Sequence, residues 1–134
     1  MKFFRWSYMA VAGLAMMSVW YMTARAEVRD VNQVDVFSSL LKNNEYVLAK
    51  FHAAWCGPCR SMKSLDDKIA QKFGSKLAFV QVDVDQSHEL QEKYGIQGTP
   101  TYLMFFRGSE EKRFVGAMSY KDFESKVKDF VGGQ

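Results

Sequence analysis

Two cysteines, Cys56 and Cys59, stand two residues apart in the stretch "AKFHAAWCGPCR" that runs from residue 49 to 60. They are the only cysteines in the chain. The same stretch holds three other groups with chemical potential: the basic side chain of Lys50, the imidazole of His52 and the indole of Trp55. A cysteine pair at this spacing can bind a metal, staple the chain or cycle between dithiol and disulfide. A zinc site needs about four ligands. Only His52 and His88 could complete one, and their spacing matches no usual zinc pattern, so the reading is metal: none. A structural staple gains stability with the length of the loop it closes, and this loop is very short. A reversible dithiol/disulfide fits the pair best.

The placement suits that chemistry. Residues 46–51, "YVLAKF", read as a strand apolar on both faces, hence central and covered on both sides. Residues 59–73 have a helical apolar stripe at Met62, Leu65 and Ile69, closed by Gly74. Cys56 would then lie at a helix N-terminus, where free N–H groups and the macrodipole favour a thiolate. It is the expected exposed nucleophile. Cys59, one turn on, is the expected buried resolving thiol, close enough to close a disulfide. Gly57 and Pro58 fill the first turn, where proline is tolerated.

The rest of the chain must hold this junction in place. Residues 27–31 read as a short edge strand. Residues 35–43 read as a helix capped by Asp35, with Val36, Leu40 and Leu41 on its apolar face. Residues 77–84 are a second apolar strand, and a short helix capped by Ser87 runs to Gly95. Residues 101–106 form a strand, "RGSE" a turn, and residues 111–116 a charged edge strand. Residues 120–131 form a closing helix with Phe123, Val127 and Phe130 on one face. Alternating strands and helices followed by a hairpin and a helix imply an α/β fold. Its central sheet is mixed, with four to five strands and helices on both faces.

The chain has 134 residues, with 18 basic and 15 acidic side chains. Residues 1–26 hold three of the basic ones and no acid, so the remainder carries 15 of each and is neutral. Nothing in that balance suggests a nucleic-acid partner. Residues 1–26 read as a separate segment: a basic start, an uncharged apolar run over residues 7–22, then "ARA". That order is the pattern of an export signal cleaved after Ala26. The alternatives are a retained membrane tether through residues 7–22 and a cytosolic apolar extension. The first two readings give residues 27–134, expected as one domain, an extracytoplasmic location, periplasmic or secreted.

With these elements in order, the sequence resembles the thioredoxin family over about residues 27 to 131. "WCGPC" is similar to that family's active-site motif. "YGIQGTPT", residues 94–101, resembles the segment that carries its cis-proline. "FVGAMS", residues 114–119, resembles its late glycine segment. The resemblance implies the thioredoxin fold and thiol–disulfide exchange with protein substrates, with no cofactor beyond the redox-active disulfide. It implies a cis bond before Pro100, and a substrate groove shaped by Thr99, Pro100 and Gly116. It also implies a membrane or soluble electron donor. CGPC leans toward a reductant. A disulfide oxidase or isomerase, or a binding or chaperone subunit with incidental redox activity, are the alternatives.

The sequence departs from that family at three positions. Thioredoxins usually carry a buried aspartate where this chain has Lys50, and an aromatic residue where it has His52. The lysine that often pairs with that aspartate is replaced by Gln81. Lys50 is expected either to snorkel, stem inside and ammonium outside, or to tune the thiols as a cation or a neutral base. His52 is expected either to sit satisfied near the surface or to titrate beside the cysteines.

Overall fold

A computed structural model describes residues 26–133. The apolar run at residues 7–22 lies outside them. Five strands form one sheet: β1 (Arg29–Asp30), β2 (Tyr46–His52), β3 (Leu77–Asp83), β4 (Thr101–Phe106) and β5 (Ser109–Val115). Four helices accompany them: α1 (Val34–Asn43), α2 (Gly57–Phe73), α3 (His88–Lys93) and α4 (Tyr120–Gly132). The strand order is β1-β3-β2-β4-β5. β1 and β2 both run parallel to β3, while β4 is antiparallel to β2 and to β5. The mixed α/β sheet read from the sequence is therefore present, with five strands.

The central position of β2 follows from its apolar run, since only a strand covered on both faces buries consecutive side chains. Val47, Ala49 and Phe51 join one core cluster with Phe37 and Leu41 of α1 and Leu90 of α3. Leu48 points the other way, into a cluster with Met62 and Ile69 of α2 and Phe123, Val127 and Phe130 of α4. By strand alternation Lys50 and His52 share the Leu48 face, under α2. β2 and β3 both end beside the cysteine loop, and Cys56 and Cys59 pack into the cluster of Val47, Ala49 and Phe51 on the other face.

Several local readings shift. α1 is capped at Gln33 without a side-chain hydrogen bond, and Asp35 lies inside the helix. Its buried face is Phe37 and Leu41, while Val36 is 40 % exposed. Phe37 wins the interior because its ring packs 5.9 Å from Phe105 and 5.4 Å from Tyr94. Ser87 stands at the start of α3, but its side chain accepts no capping hydrogen bond. β1 is shorter than read, and β5 starts two residues earlier. The two-residue turn between β4 and β5 uses Arg107 and Gly108, both at positive φ, as tight hairpins require. Gly74 ends α2 in the right-handed region. A Cβ there would fall 1.8 Å from the Ala26 Cβ, because the chain leading to β1 crosses it.

Candidate active site

Cys56 is the N-cap of α2, and its Sγ accepts the Cys59 backbone N–H at 3.2 Å. A sulfur in that position does for the open helix end what a serine or aspartate oxygen usually does. Pro58 sits in the first turn, where its missing N–H costs nothing. The Cys56 N–H donates to the Ala53 carbonyl at 3.1 Å, which turns the chain from strand into helix. Cys56 and Cys59 are joined as a disulfide with Cα atoms 5.3 Å apart. Burial does not separate them in this oxidised state: Cys56 is 4 % exposed and Cys59 3 %. The surroundings do, because Ala54, Trp55, Gly57 and Pro58 around Cys56 are all exposed.

Three distant segments meet at Cys56. Trp55 is 69 % exposed, and its indole N–H donates to Asp85 at 2.8 Å, which pins the ring beside the cysteines. The Thr99 carbonyl oxygen lies 3.5 Å from Cys56 Sγ. The Thr99–Pro100 peptide is cis. Pro100 O accepts the Gly116 N–H at 2.8 Å, and Gly116 has a φ of +94°, a conformation costly for any residue with a Cβ. Cys56, Trp55, Thr99, Pro100 and Gly116 thus lie together, with Trp55 exposed, Thr99 and Gly116 half-buried, and Cys56 and Pro100 buried.

Lys50 does not snorkel. It is 3 % exposed, and its ammonium stays inside because an acid meets it there. Lys50 Nζ lies 2.5 Å from Asp66 Oδ2 and donates to the Cys59 carbonyl at 3.0 Å. The second Asp66 oxygen accepts the Tyr102 hydroxyl at 2.8 Å. Asp66 is 2 % exposed, and the Lys50 ammonium also lies 6.0 Å from the Tyr102 ring centroid. A buried pair is tolerable only when its remaining valences are satisfied, and here Tyr102 and the Cys59 carbonyl supply the extra partners. Burial pushes the Asp66 carboxyl above its ordinary value, opposed by the hydrogen bond and charge of Lys50 and by Tyr102. Burial and Asp66 together push the Tyr102 hydroxyl far up, so it stays a donor.

Asp66 and Tyr102 were not singled out in the sequence. Asp66 lies four residues after Met62 and three before Ile69, on the buried stripe of α2, and that placement is the signal that could have found it. Gln81 is opposite Lys50 in the sheet but donates to Asp30 at 2.6 Å, toward the edge strand. His52 is half-buried, and its Nε2 is buried without a hydrogen-bond partner. Burial holds its pKa below the usual histidine value, reinforced by the Lys50 charge, while Asp83 and Asp30 pull it upward. His88 is exposed on α3, away from these groups. Among the described residues no cluster of three His, Cys, Asp or Glu side chains is placed to hold a metal.

Comparison with known proteins assigns the frame. A family model described as thioredoxin matches residues 27–129. The chain is 34 % identical over 110 residues to a chloroplastic thioredoxin M-type of Chlamydomonas reinhardtii, covering 82 % of this chain and 79 % of that protein. It is 30 % identical over 108 residues to the chloroplastic thioredoxin M4 of Arabidopsis thaliana, covering 81 % of this chain. It spans only 56 % of that protein's own length. The crystal structure of thioredoxin from Trypanosoma brucei brucei superposes with a TM-score of 0.76 at 27 % identity, covering 83 % of this chain and 96 % of that one. Strand order, the disulfide at the strand–helix junction and these matches agree: the chain belongs to the thioredoxin family, and its fold is the thioredoxin fold.

Proposed function

We propose that residues 27–134 form a thiol–disulfide oxidoreductase domain that exchanges the Cys56–Cys59 pair with cysteines of protein substrates, more readily as a reductant. The observation that carries this reading is the convergence of Trp55, Thr99, Pro100 and Gly116 around Cys56. In the reduced protein the Cys56 thiolate attacks a substrate disulfide. A mixed disulfide forms and one substrate sulfur leaves as thiolate. Cys59 then gives up its proton and attacks Cys56 Sγ, which releases the second substrate thiolate and restores the internal disulfide. Two electrons pass to the substrate, and a dithiol donor, membrane-bound or soluble, returns them. The helix N-terminus that holds Cys56 Sγ against the Cys59 N–H favours the attacking thiolate. Thr99, with its carbonyl beside Cys56, offers backbone to an extended substrate segment.

Lys50 supports a second reading in the same class. Its ammonium lies against the Cys59 backbone, and a nearby cation favours thiolate, which stabilises the reduced form and makes the pair more oxidising. On this reading the domain is an oxidase or isomerase. The reduction potential separates the two, since about −270 mV marks a reductant and about −120 mV a strong oxidant. Insulin reduction tests the activity itself. Turnover must vanish in Cys56→Ser, and Cys59→Ser must accumulate a mixed disulfide with substrate. No turnover in the parent would leave only a binding or chaperone role, and turnover that survives Cys56→Ser would overturn Cys56 as the attacking thiol.

The basic, apolar, small-residue order of residues 1–26 supports export to an extracytoplasmic compartment, by cleavage after Ala26 or by retention as a tether. N-terminal sequencing of the protein purified from its own cells decides between them, and an intact Met1 on a cytosolic protein overturns both.

A further inference from the structure

The buried nitrogen of His52 has no part in the exchange steps, yet His52 and Cys59 share Lys50 as a charged neighbour. We propose that His52 is a proton site coupled to the disulfide: it takes up a proton more readily when the Cys56–Cys59 pair is reduced, so that protonation of His52 and reduction of the pair favour each other.

Four features of the fold carry this. His52 is four residues before Cys56, and its backbone is fixed, since its carbonyl accepts the Val84 N–H at 2.9 Å. Its Nε2 is buried and unpartnered among the described residues, so the ring lacks the fixed hydrogen bond that would lock its protonation state. Its charged neighbours are split in sign. Lys50 lies two residues back on the same strand face, Asp83 lies opposite on β3, and Asp30 is on β1. From α2, Asp66 acts on it through Lys50, which it neutralises. Lys50 in turn touches the Cys59 backbone, so the histidine and the resolving cysteine share one charged neighbour.

In the oxidised protein the sulfurs carry no charge, and burial and the Lys50 charge disfavour the imidazolium. Reduction breaks the S–S bond and places an electron on each sulfur. A sulfur left as thiolate at the N-terminus of α2 adds a negative charge four residues along the chain from His52, and the imidazolium becomes easier to form. The coupling is reciprocal, so a proton on His52 must favour the reduced pair by the same factor. This rests on the pair being redox-active. It is measured, however, on protein reduced by a small dithiol, so it stands or falls apart from substrate turnover.

The experiment is an NMR titration of the two histidine rings of the full chain between pH 4.5 and 8.5. One sample is oxidised and one is held reduced by excess dithiothreitol, which ends as its own cyclic disulfide. His52 should bind its proton at least about fivefold more tightly in the reduced sample, near the lower end of usual coupling. Equal His52 midpoints in the two samples overturn the proposal. A second readout excludes a merely structural role. A packing change in His52→Asn shifts the reduction potential by a constant amount, whereas a lost proton site flattens its dependence on pH between 5 and 8. Parallel curves for the parent and His52→Asn also overturn it.

Discussion

Removing either half of the Lys50–Asp66 pair should cost far more than removing both. Lys50→Met leaves the Asp66 carboxylate buried with only the Tyr102 hydroxyl as donor, and Asp66→Leu leaves the Lys50 ammonium with only the Cys59 carbonyl. Each single change strands a charge in the core and should lose about 3–5 kcal/mol. That is a large share of the roughly 5–15 kcal/mol that holds a domain folded. The double variant Lys50→Met/Asp66→Leu strands no charge and fills a similar volume. Such replacements are neutral or stabilising by about 1–4 kcal/mol. The orphaned Tyr102 hydroxyl offsets this by about 1–3 kcal/mol, so the double variant should lie close to the parent. Independent sites would instead add to within about 0.3–0.5 kcal/mol. The assay is equilibrium urea unfolding of the oxidised protein at pH 7 for all four members of the cycle. The pH dependence carries a sign. In Lys50→Met, burial holds the Asp66 carboxyl above its unfolded value with no cation to oppose it. The folded chain then binds the extra proton. Stability is fullest below the unfolded carboxylate value of about 3.9 and falls as pH rises through the folded value, so the cost seen at pH 7 should shrink toward pH 4. Additive single effects, or singles costing under about 1 kcal/mol, would refute the buried pair and return Lys50 to a snorkelling side chain.

Tyr102→Phe removes a hydrogen bond to a charged acceptor and should cost about 1.5–3 kcal/mol in the same unfolding assay. Gly116→Ala should cost about 1–2 kcal/mol from its φ of +94° alone, because a Cβ there meets nothing within 4 Å. Phe123→Ala should cost about 3–5 kcal/mol, since its ring packs 5.0 Å from Tyr102 and 5.9 Å from Phe114. Lys63→Ala should change stability by under about 1 kcal/mol, because its 3.8 Å contact with Asp67 is well exposed.

What could be read from the sequence depended on how local each cause was. The apolar run of β2, the stripe of Phe123, Val127 and Phe130, and the strand–helix junction at Cys56 are set by neighbouring residues, and all were legible. The face of α1 was not, because Val36 and Phe37 compete for the interior and the decision belongs to Phe105 and Tyr94, far along the chain. The same holds for Lys50. Its acid lies 16 residues away, beside Asp67 in a "DDK" run that reads as a solvated surface. Only the periodicity of α2 distinguishes the two aspartates. The family's acid is missing from β2, but an acid reaches the same interior from the helix, so the fold accepts the opposite charge on the strand.

The crossing of Ala26 over Gly74 gives the domain a direction. That contact lies where α2 ends and β3 begins, whereas the cysteines follow the far end of β2, which runs parallel to β3. Seven strand residues at about 3.3 Å each separate the two poles by roughly 20 Å. Ala26 therefore lies at the opposite end of the sheet from the cysteine loop and Trp55. A surface, a fused module or an affinity tag placed there should leave the exchange chemistry facing outward.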